Sequence, residues 1–262
     1  MPELPEVATF EKYLRHTALH KKITEVEVED ERVVLCTADE LREGLIGQTF
    51  EQTQRIGKHL LISLSSGQYL SMHFGMTGRL RYFKDREDTP RFTKVLFSLE
   101  DGYHLSYVCP RILGRLGLTS DVQAYSKKKK LGEDALKISH ESFAKKLKKR
   151  KGLIKPILMN QSVVAGLGNW IVDDMLYQTG LHPETPMVAL EETHIKSLYD
   201  KMQYIIRTAI DLETRYDEFP KHFLITHREE GAKSTLYDGD IIRMVVNGRG
   251  TYICPVGQKL KV

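Results

Sequence analysis

The chain has 262 residues, of which 41% are hydrophobic and 28% are charged, and its formal net charge is +4. This length and composition suffice for one or two buried cores, and the absence of a long apolar run excludes a membrane-spanning or disordered protein. Three scattered cysteines form no disulfide framework, and the N-terminus has no secretory pattern. A soluble globular protein of the reducing cytoplasm is predicted.

The N-terminal half has the sequence pattern of a β domain. After the opening MPELPEV, the helical spacing of Val7, Phe10, Leu14 and Ala18 predicts a helix over about residues 7–20. The segments LLISLSSGQYLSMHF and KVLFSLEDGYHLSYV alternate around Ser-Gly and Asp-Gly turns, which predicts two β-hairpins. Residues 1–125 are therefore expected to form an antiparallel β-sandwich or barrel.

Positive charge is concentrated in the middle of the chain. Residues 126–155 contain 12 Lys and Arg against three Asp and Glu, including KKKK at 127–130 and KKLKKRK at 145–151. Such a concentration suits a polyanion such as a nucleic-acid backbone. A lysine run taken alone is more often a solvated linker and helix face, so residues 126–135 are predicted to be a basic linker.

The C-terminal half changes to helical patterning and then returns to strand. Apolar spacings of three and four predict helices in ESFAKKLKKR, IVDDMLYQTG and EETHIKSLYDKMQYIIRTAIDLETRY, within a helical domain over residues 136–233. In residues 234–262, DIIRMVV and TYICP flank an Asn-Gly turn, which predicts a β-hairpin. The fold class is α+β multidomain: a β-sandwich with an N-terminal helix, a helical domain and a C-terminal hairpin.

The opening proline can be a nucleophile. If Met1 is removed, Pro2 carries a free secondary amine, and at pH 7.5 about a third of ordinary α-amino groups are uncharged. A secondary amine condenses with a sugar aldehyde to a charged iminium that promotes elimination. The adjacent Glu3 can protonate the opening sugar and later remove a proton. An ordinary capped start before a helix is the simpler explanation of these two residues.

Five segments are informative when taken together: MPELPEV, RIGKHLLISL, HFGMTGRL, IKPILMNQSVVAGLGNWIVDDMLYQTGLHP and VVNGRGTYICP. They resemble the formamidopyrimidine-DNA glycosylase and endonuclease VIII family of base-excision repair enzymes. The fourth is similar to the family's helix-two-turns-helix motif, and the resemblance extends over essentially the whole chain. It implies that residues 136–233 bind DNA and that residues 1–125 are the catalytic domain.

The resemblance implies roles for the first residues of the chain and for one turn. By this match Pro2 attacks C1′ of the damaged nucleotide, Glu3 is its acid and base partner, and Glu6 is a supporting carboxylate. Lys58 matches a turn lysine that contacts DNA phosphate and assists the chemistry. A lysine on a tight glycine turn places a point charge at a fixed position, although an exposed turn lysine has the same sequence.

The resemblance also implies a set of DNA contacts. Gly168 and Asn169, with Gly166, match a segment that approaches phosphate closely, and Lys155 matches a lysine beside the DNA backbone. The family fills the gap left by an everted base with three side chains, which correspond to Met76, Arg111 and Leu113. Leu113 replaces the usual phenylalanine and has less stacking surface. Without the family match, Met76 and Leu113 would be ordinary core residues.

The tail departs from the four-cysteine zinc finger of most bacterial members of the family. Cys254 is present, but Gly257 stands where its partner would be, and HREEGAKSTLYDG has no cysteine. The resemblance therefore implies a zincless finger that binds no metal and is held by strand pairing and by packing of Ile242, Met244 and Val246, or their alternates. Arg249, at the hairpin tip, matches the arginine that clamps phosphates beside the lesion.

The family resemblance implies a DNA glycosylase with abasic-site lyase activity that uses no cofactor. We expect a monomer that acts on damaged double-stranded DNA, binds no membrane and lies in the cytoplasm with the nucleoid. A non-catalytic reader of damaged DNA and a basic RNA-binding protein are the alternatives. The opening PELPEV favours oxidised purines, but residues 216–234 depart from the family pattern, so the preferred base stays open.

Overall fold

The computed structural model describes residues 1–261, which form two compact units. The N-terminal unit contains Met1–Pro2 and Glu6–Lys129, and the C-terminal unit contains Glu3–Pro5 and residues 130–261. Glu3–Pro5 are assigned to the C-terminal unit because of their contacts with residues more than a hundred positions away in the sequence. No helix in this described part of the chain has the length and apolar character needed to span a membrane.

The N-terminal unit is built from two four-stranded sheets, and all neighbouring strands in both are antiparallel. Its elements are α1 (Leu4–Thr17, whose first two residues are counted with the C-terminal unit), β1 (Ile23–Val28), α2 (Ala38–Leu45), β2 (Phe50–Ile56), β3 (His59–Leu64), β4 (Tyr69–His73), β5 (Arg79–Phe83), β6 (Thr93–Leu99), β7 (His104–Val108), β8 (Arg115–Thr119) and α3 (Val122–Lys128). The strand orders are β1-β6-β7-β5 and β2-β3-β4-β8. Both predicted hairpins, β3–β4 and β6–β7, are confirmed.

The two sheets share one core, as expected of a β-sandwich. Phe50 of one sheet and Phe97 of the other are fully buried, and their rings meet edge to face with centroids 6.0 Å apart. Val7 and Leu14 of α1 are buried in the same core, at the helical spacing read from the sequence. The helix ends at Thr17, slightly before the predicted end, because the chain turns at His20, which has a φ of 62°.

The C-terminal unit is mainly helical. It contains β9 (Glu133–Asp134), α4 (His140–Lys148), α5 (Ile154–Met159), β10 (Val164–Ala165), α6 (Asn169–Thr179), α7 (Glu192–Asp211), β11 (Ile242–Val246) and β12 (Arg249–Ile253). Ser139 accepts a hydrogen bond from the Ser142 N–H and begins α4, and Gly180, with a φ of 67°, ends α6. The three predicted helices are confirmed.

Helix α6 is the central element of this unit. Eight consecutive residues, from Trp170 to Tyr177, are buried, so the helix contacts protein on every side. In contrast, α7 is amphipathic and buries one stripe: Ile195, Leu198, Met202, Ile205, Ile206 and Ala209. Two carboxylates, Asp173 and Asp174, lie within the buried stretch of α6 and must therefore be paired or hydrogen-bonded.

The C-terminal hairpin is also confirmed. Strands β11 and β12 pair antiparallel from Ile242 with Ile253 to Val246 with Arg249, around a turn at Asn247 and Gly248. Val246 is buried and Met244 is partly buried, whereas Ile242 is exposed. At the other end of the hairpin Ile241, Ile253 and Cys254 are buried, so the hairpin packs on its unit at both ends.

Candidate active site

Glu3 is buried at the N-terminal end of α6. Its Oε1 accepts a hydrogen bond of 3.0 Å from the N–H of Trp170, and its Oε2 accepts one of 3.3 Å from the N–H of Ile171. These N–H groups belong to the first turn of the helix, where no carbonyl of the helix itself is available to them. The carboxylate thus satisfies two backbone donors and lies where the helix dipole favours negative charge.

Gly168 is required by the position of Glu3. A Cβ atom at Gly168 would lie 2.1 Å from the carboxyl carbon of Glu3 and 2.3 and 2.5 Å from its two oxygens. Gly166 has a similar relation to Leu4, since a Cβ there would lie 2.5 Å from Cδ1 of Leu4, whose N–H donates to the Gly166 carbonyl at 3.1 Å. The structure thus gives both glycines a role in seating the start of the chain, and their close approach to phosphate stays a prediction.

Pro2 and Glu6 flank this anchored segment in the sequence and are counted with the N-terminal unit. Both are partly buried, and Glu6 lies in the first turn of α1. Because Glu3 is fixed on α6 and Pro2 is its neighbour, the peptide between them limits how far the Pro2 nitrogen can move. The anchoring of Glu3 therefore also restrains the predicted nucleophile.

Lys58 lies in the tight turn between β2 and β3, as the sequence predicted. Gly57 has a φ of 56°, and the Arg55 side chain donates a 3.0 Å hydrogen bond to its carbonyl oxygen, which fixes the turn. Lys58 is largely buried, so it is not the freely exposed turn lysine of the simpler interpretation. Its contact with DNA phosphate stays a prediction.

Two histidines lie next to this turn. The rings of His59 and His73 are 4.8 Å apart, and His59 Nδ1 is 2.9 Å from the Tyr125 hydroxyl. Burial, and then the nearby charges that include Lys58, lower the pKa of His59 to about 3 and that of His73 to about 4. Both rings are uncharged at neutral pH, so they do not add to the positive charge of Lys58.

Lys155 is buried, and its place beside the DNA backbone stays a prediction. Its Nζ is 2.6 Å from Asp173 Oδ1 and 2.6 Å from Thr251 Oγ1. Burial lowers the pKa of Lys155, and the Asp173 charge opposes that effect. Through these two contacts the Lys155 ammonium joins α5 to Asp173 of α6 and to Thr251 of β12.

Asp173 is the centre of a buried network that holds the hairpin. Its Oδ2 accepts a 2.6 Å hydrogen bond from Arg228 Nη2 and a 3.4 Å bond from the Tyr252 N–H, while Oδ1 receives Lys155. The Arg228 guanidinium also lies 4.5 Å from the centroid of the Tyr252 ring. Two cations and one backbone N–H thus share one carboxylate, which satisfies its main hydrogen-bonding sites.

Asn169 and Asp173 together place the hairpin tip. The Asn169 Nδ2 donates a 2.8 Å hydrogen bond to the carbonyl oxygen of Gly250, the residue after Arg249. Thr251 Oγ1, which receives Lys155, in turn donates to the Arg249 carbonyl at 2.9 Å. The backbone around Arg249 is fixed in this way, while its side chain is exposed beside a cavity of about 190 Å³ lined also by Lys155 and Asn160.

Met76, Arg111 and Leu113 come together at exposed turns of the N-terminal unit. The exposed fractions of Met76 and Leu113 are 40% and 49%, so neither is the core residue that the simpler interpretation predicted. Arg111 Nη1 is 3.7 Å from Met76 Sδ. A Cβ atom at Gly75 would lie 2.5 Å from the Leu113 carbonyl carbon, so the two turns touch through backbone. We call these three residues the wedge.

The tail residues do not fit a zinc ion. A Cβ atom at Gly257 would lie 2.2 Å from the ring of Tyr237, so this ring occupies the space that a cysteine side chain would need. The Tyr177 hydroxyl is 2.6 Å from Ser234 Oγ and receives the N–H groups of Thr235 and Leu236 at 3.0 and 3.1 Å. Across residues 1–261 no three His, Cys, Asp or Glu side chains are grouped to hold a metal.

Asp174 fixes a neighbouring segment of the C-terminal unit. Its two oxygens accept hydrogen bonds from the N–H groups of Leu224 and Ile225 at 3.0 and 2.9 Å. Burial is the largest influence on this carboxyl, and it raises the pKa of Asp174 to about 7 in spite of those bonds. The protonation state of Asp174 therefore changes near neutral pH, at the start of a 3₁₀ turn over Leu224–His227.

Sequence reasoning missed the residues that support the site. Asp173, Arg228, Thr251 and Tyr237 had no predicted role, although one signal was available for the first of them. Asp173 and Asp174 are adjacent and are flanked on both sides by the apolar runs WIV and MLY, so in a buried helix they need partners within the protein. The partners of Asp173 were not readable, because Arg228 is 55 residues away and Tyr252 is 79.

Comparison with known proteins agrees with this architecture. Residues 1–116 match the formamidopyrimidine-DNA glycosylase N-terminal domain, and residues 131–219 match the formamidopyrimidine-DNA glycosylase H2TH domain. A formamidopyrimidine-DNA glycosylase of Pelotomaculum thermopropionicum is 33% identical over 100% of both chains. One from Arabidopsis thaliana is 31% identical over 99% of this chain and 71% of the relative.

Solved structures show the same fold. The Lactococcus lactis formamidopyrimidine-DNA glycosylase, non-covalently bound to DNA containing an abasic site, is 30% identical, with a TM-score of 0.89 over 98% of this chain and 99% of that chain. The same enzyme in complex with FAPY-dG DNA also has a TM-score of 0.89, over 98% and 100% of the two chains. Both domain matches, the full-length relatives and the shared fold show that this chain belongs to the formamidopyrimidine-DNA glycosylase family.

Proposed function

We propose that this protein removes damaged bases from double-stranded DNA and then cleaves the strand at the abasic site through a Schiff base to Pro2. The observation that carries the proposal is the seating of Glu3 on the N–H groups of Trp170 and Ile171, in space that Gly168 leaves open. A carboxylate fixed beside a potential secondary amine is the pairing that base release and elimination require. Its fixed position supports an acid and base role rather than a merely capped chain start.

The chemistry begins when the Pro2 nitrogen bonds to C1′ and gives up its N–H proton, while the base leaves C1′ with the bonding electron pair and takes up a proton. Glu3 donates a proton to O4′ as the sugar ring opens, which leaves an iminium between Pro2 and C1′. Glu3, now ionised, removes a proton from C2′, which expels the 3′ phosphate, and loss of a proton from C4′ then expels the 5′ phosphate. Water hydrolyses the remaining iminium and frees Pro2 for another cycle. The scheme requires that Met1 has been removed, because an acylated Pro2 nitrogen is not nucleophilic.

Binding of the damaged strand rests on the charged and exposed groups already described. Arg249 presents a planar fork suited to phosphate oxygens, on backbone held by Asn169 and the Asp173 network. Lys58 supplies a cation at a fixed turn, and the wedge offers two apolar side chains and one arginine for the gap left by an everted base. Lys155 and Gly168 act in this scheme as positioning residues.

The relatives indicate the class of substrate, which is damaged DNA, but they do not identify the base that this protein prefers. The Lactococcus lactis enzyme was crystallised with abasic-site DNA and with FAPY-dG DNA, and a related enzyme with carbocyclic 8-oxo-G DNA. We take oxidised purines in duplex DNA as the first substrates to examine in this chain. We further infer that the protein acts as a monomer in the cytoplasm, in contact with the nucleoid.

Borohydride trapping tests the proposal directly. The mature protein, with abasic duplex DNA and sodium borohydride, should give a covalent adduct whose mass is the sum of protein and cleaved strand. The adduct should be absent from Pro2→Gly and from a variant with one extra residue before Pro2. An adduct that persists in both variants would refute Pro2 as the nucleophile. No adduct with the mature protein, together with tight damaged-duplex binding, would instead indicate the non-catalytic reader.

A further inference from the structure

Phe92 is a large aromatic side chain that the fold holds outward at an unfavourable backbone conformation. Its exposed fraction is 43%, and its φ is 68°, in the left-handed region that bulky residues rarely adopt. Glycine would adopt this conformation without strain. Strained backbone of this kind is concentrated at sites where a side chain must have a particular direction for function. Neither the catalytic scheme nor the core of the N-terminal unit uses the Phe92 ring.

Backbone hydrogen bonding joins Phe92 to the turn that carries two wedge residues. The Phe92 carbonyl accepts a 3.0 Å hydrogen bond from the N–H of Cys109, two residues before Arg111. Phe92 directly precedes β6 and Cys109 directly follows β7, and these strands pair at Thr93 and Val108. Phe92 and the Arg111 turn are thus neighbours at one end of the same sheet.

The Arg111 turn is strained as well. Ile112, between Arg111 and Leu113, has a φ of 55°, and it is a β-branched residue for which this is a genuine outlier. Its conformation is held by a 3.2 Å bond from its own N–H to the Cys109 carbonyl and a 2.9 Å bond from Arg115 Nη1 to the Ile112 carbonyl. Two adjoining turns therefore hold bulky residues in left-handed conformations and leave Phe92 and Leu113 exposed.

The surroundings of Phe92 favour nucleic acid over a purely apolar partner. The guanidinium carbon of Arg91 lies 4.6 Å from the centroid of the Phe92 ring. An aromatic face beside an arginine combines a surface that stacks on bases with a charge that binds phosphate. Leu113, the apolar wedge residue of the neighbouring turn, has no ring, and aliphatic side chains stack on bases less well than aromatic ones.

From these observations, and resting on the proposed function, we propose that Phe92 is the aromatic contact of the wedge. In a complex with damaged duplex, its ring stacks on a base beside the vacated position, while Leu113 and Met76 fill the gap with aliphatic bulk. The aromatic surface that the Leu113 position lacks is in this way supplied by the neighbouring turn. Phe92 is then a specificity-determining residue for duplex DNA with an everted nucleotide.

The test uses an uncleavable duplex that carries a tetrahydrofuran abasic analogue with 2-aminopurine opposite to it. Stacking of an aromatic ring on 2-aminopurine quenches its fluorescence. We expect the full-length wild type and Phe92→Tyr to quench the probe, and Phe92→Leu to quench it less and to bind about fivefold or more weakly. Adding Leu113→Phe to Phe92→Leu should restore both the quenching and the affinity.

Phe92→Gly separates a functional role from a structural one. Glycine relieves the backbone strain, so this variant should be at least as stable as wild type in thermal unfolding while it loses quenching. A simultaneous loss of stability and binding would overturn the proposal, as would a Phe92→Leu variant that binds and quenches like wild type. Wild type that binds the abasic duplex no better than undamaged duplex would overturn the proposed function as well, which distinguishes the two failures.

Discussion

The start of α6 and the wedge place functional side chains by opposite means. At the start of α6, Glu3, Asn169 and Asp173 are held by buried hydrogen bonds and ion pairs that also support the fold. In the wedge, Met76 and Leu113 are exposed on turns with tightly touching or strained backbone, and the one side-chain contact described there is that of Arg111 with Met76. Changes in the first region should therefore alter stability and activity together, and changes in the second should alter DNA binding alone.

The largest effect is expected for Asp173→Ala. It leaves the buried Lys155 and the partly buried Arg228 without their shared carboxylate, which should lower the free energy of unfolding by about 3–5 kcal/mol. Chemical denaturation gives this quantity directly. Asp200→Ala is the matched control, because the pair of Asp200 with Lys196 is exposed and should contribute less than about 1 kcal/mol. Equal losses in the two variants would contradict the central role of Asp173.

Gly168→Ala should come next and should reduce base release about 100-fold or more, since the added methyl group displaces the Glu3 carboxylate. Single-turnover kinetics on an oligonucleotide with one excisable base measures the effect, and circular dichroism verifies the fold. Gly152→Ala serves as the control for backbone strain. Its φ of 111° strains an added side chain, but no atom lies within 4 Å of the added Cβ, so no neighbour is displaced. A Gly168→Ala rate within threefold of wild type would refute the steric argument.

Asp174 should make stability depend on pH. Its folded-state pKa, about 7, lies above the ordinary value near 3.9, so the stability it contributes is complete below about pH 4 and is lost as pH rises through 7. Relative to Asp174→Asn, the wild-type free energy of unfolding should fall by up to about 1.4 kcal/mol per pH unit between about pH 5 and 7. Denaturant titrations from pH 5 to 8.5 measure this slope, and a constant difference would exclude the shift.

Leu113→Ala should have the smallest energetic effect and the most selective one. Because the side chain is exposed, stability should change by less than about 0.5 kcal/mol, whereas affinity for abasic duplex should fall about tenfold, or about 1.4 kcal/mol. Fluorescence anisotropy and thermal unfolding report the two quantities. Val188→Ala, at a still more exposed apolar residue of the C-terminal unit, should change neither. A destabilised Leu113→Ala would show that the wedge supports the core.

The sequence predicted the regular elements best where one local signal was sufficient. Turn residues located the hairpins at Gly67, Gly102 and Gly248, and apolar spacing located α6 and α7. Strand β1 was missed because a bulge between Ile23 and Glu25 breaks its alternation. The helix α2 and the strands β2, β5 and β8 also had no separate prediction.

Within the site, the sequence predicted partners that are neighbours along the chain, but it did not predict hydrogen bonds between distant residues. Pro2 and Glu3 could be assigned together because they are neighbours, but the seat of Glu3 on Trp170 spans 167 residues. The family match placed Lys155 beside the DNA backbone, but it did not record the contacts of Lys155 with Asp173 and Thr251, which make its burial favourable. The geometry of long-range polar networks depends on tertiary packing, which spacing along the chain does not record.

The Tyr237 ring beside Gly257 has a consequence for the conditions under which the protein works. Oxidised bases accumulate when a cell is exposed to peroxide, and the same peroxide attacks the thiolates that hold a zinc finger together. Here the segment is held by hydroxyl groups and aromatic rings, and its one thiol, Cys254, is fully buried. Peroxide stress and zinc starvation should therefore leave the hairpin, and the arginine at its tip, in place.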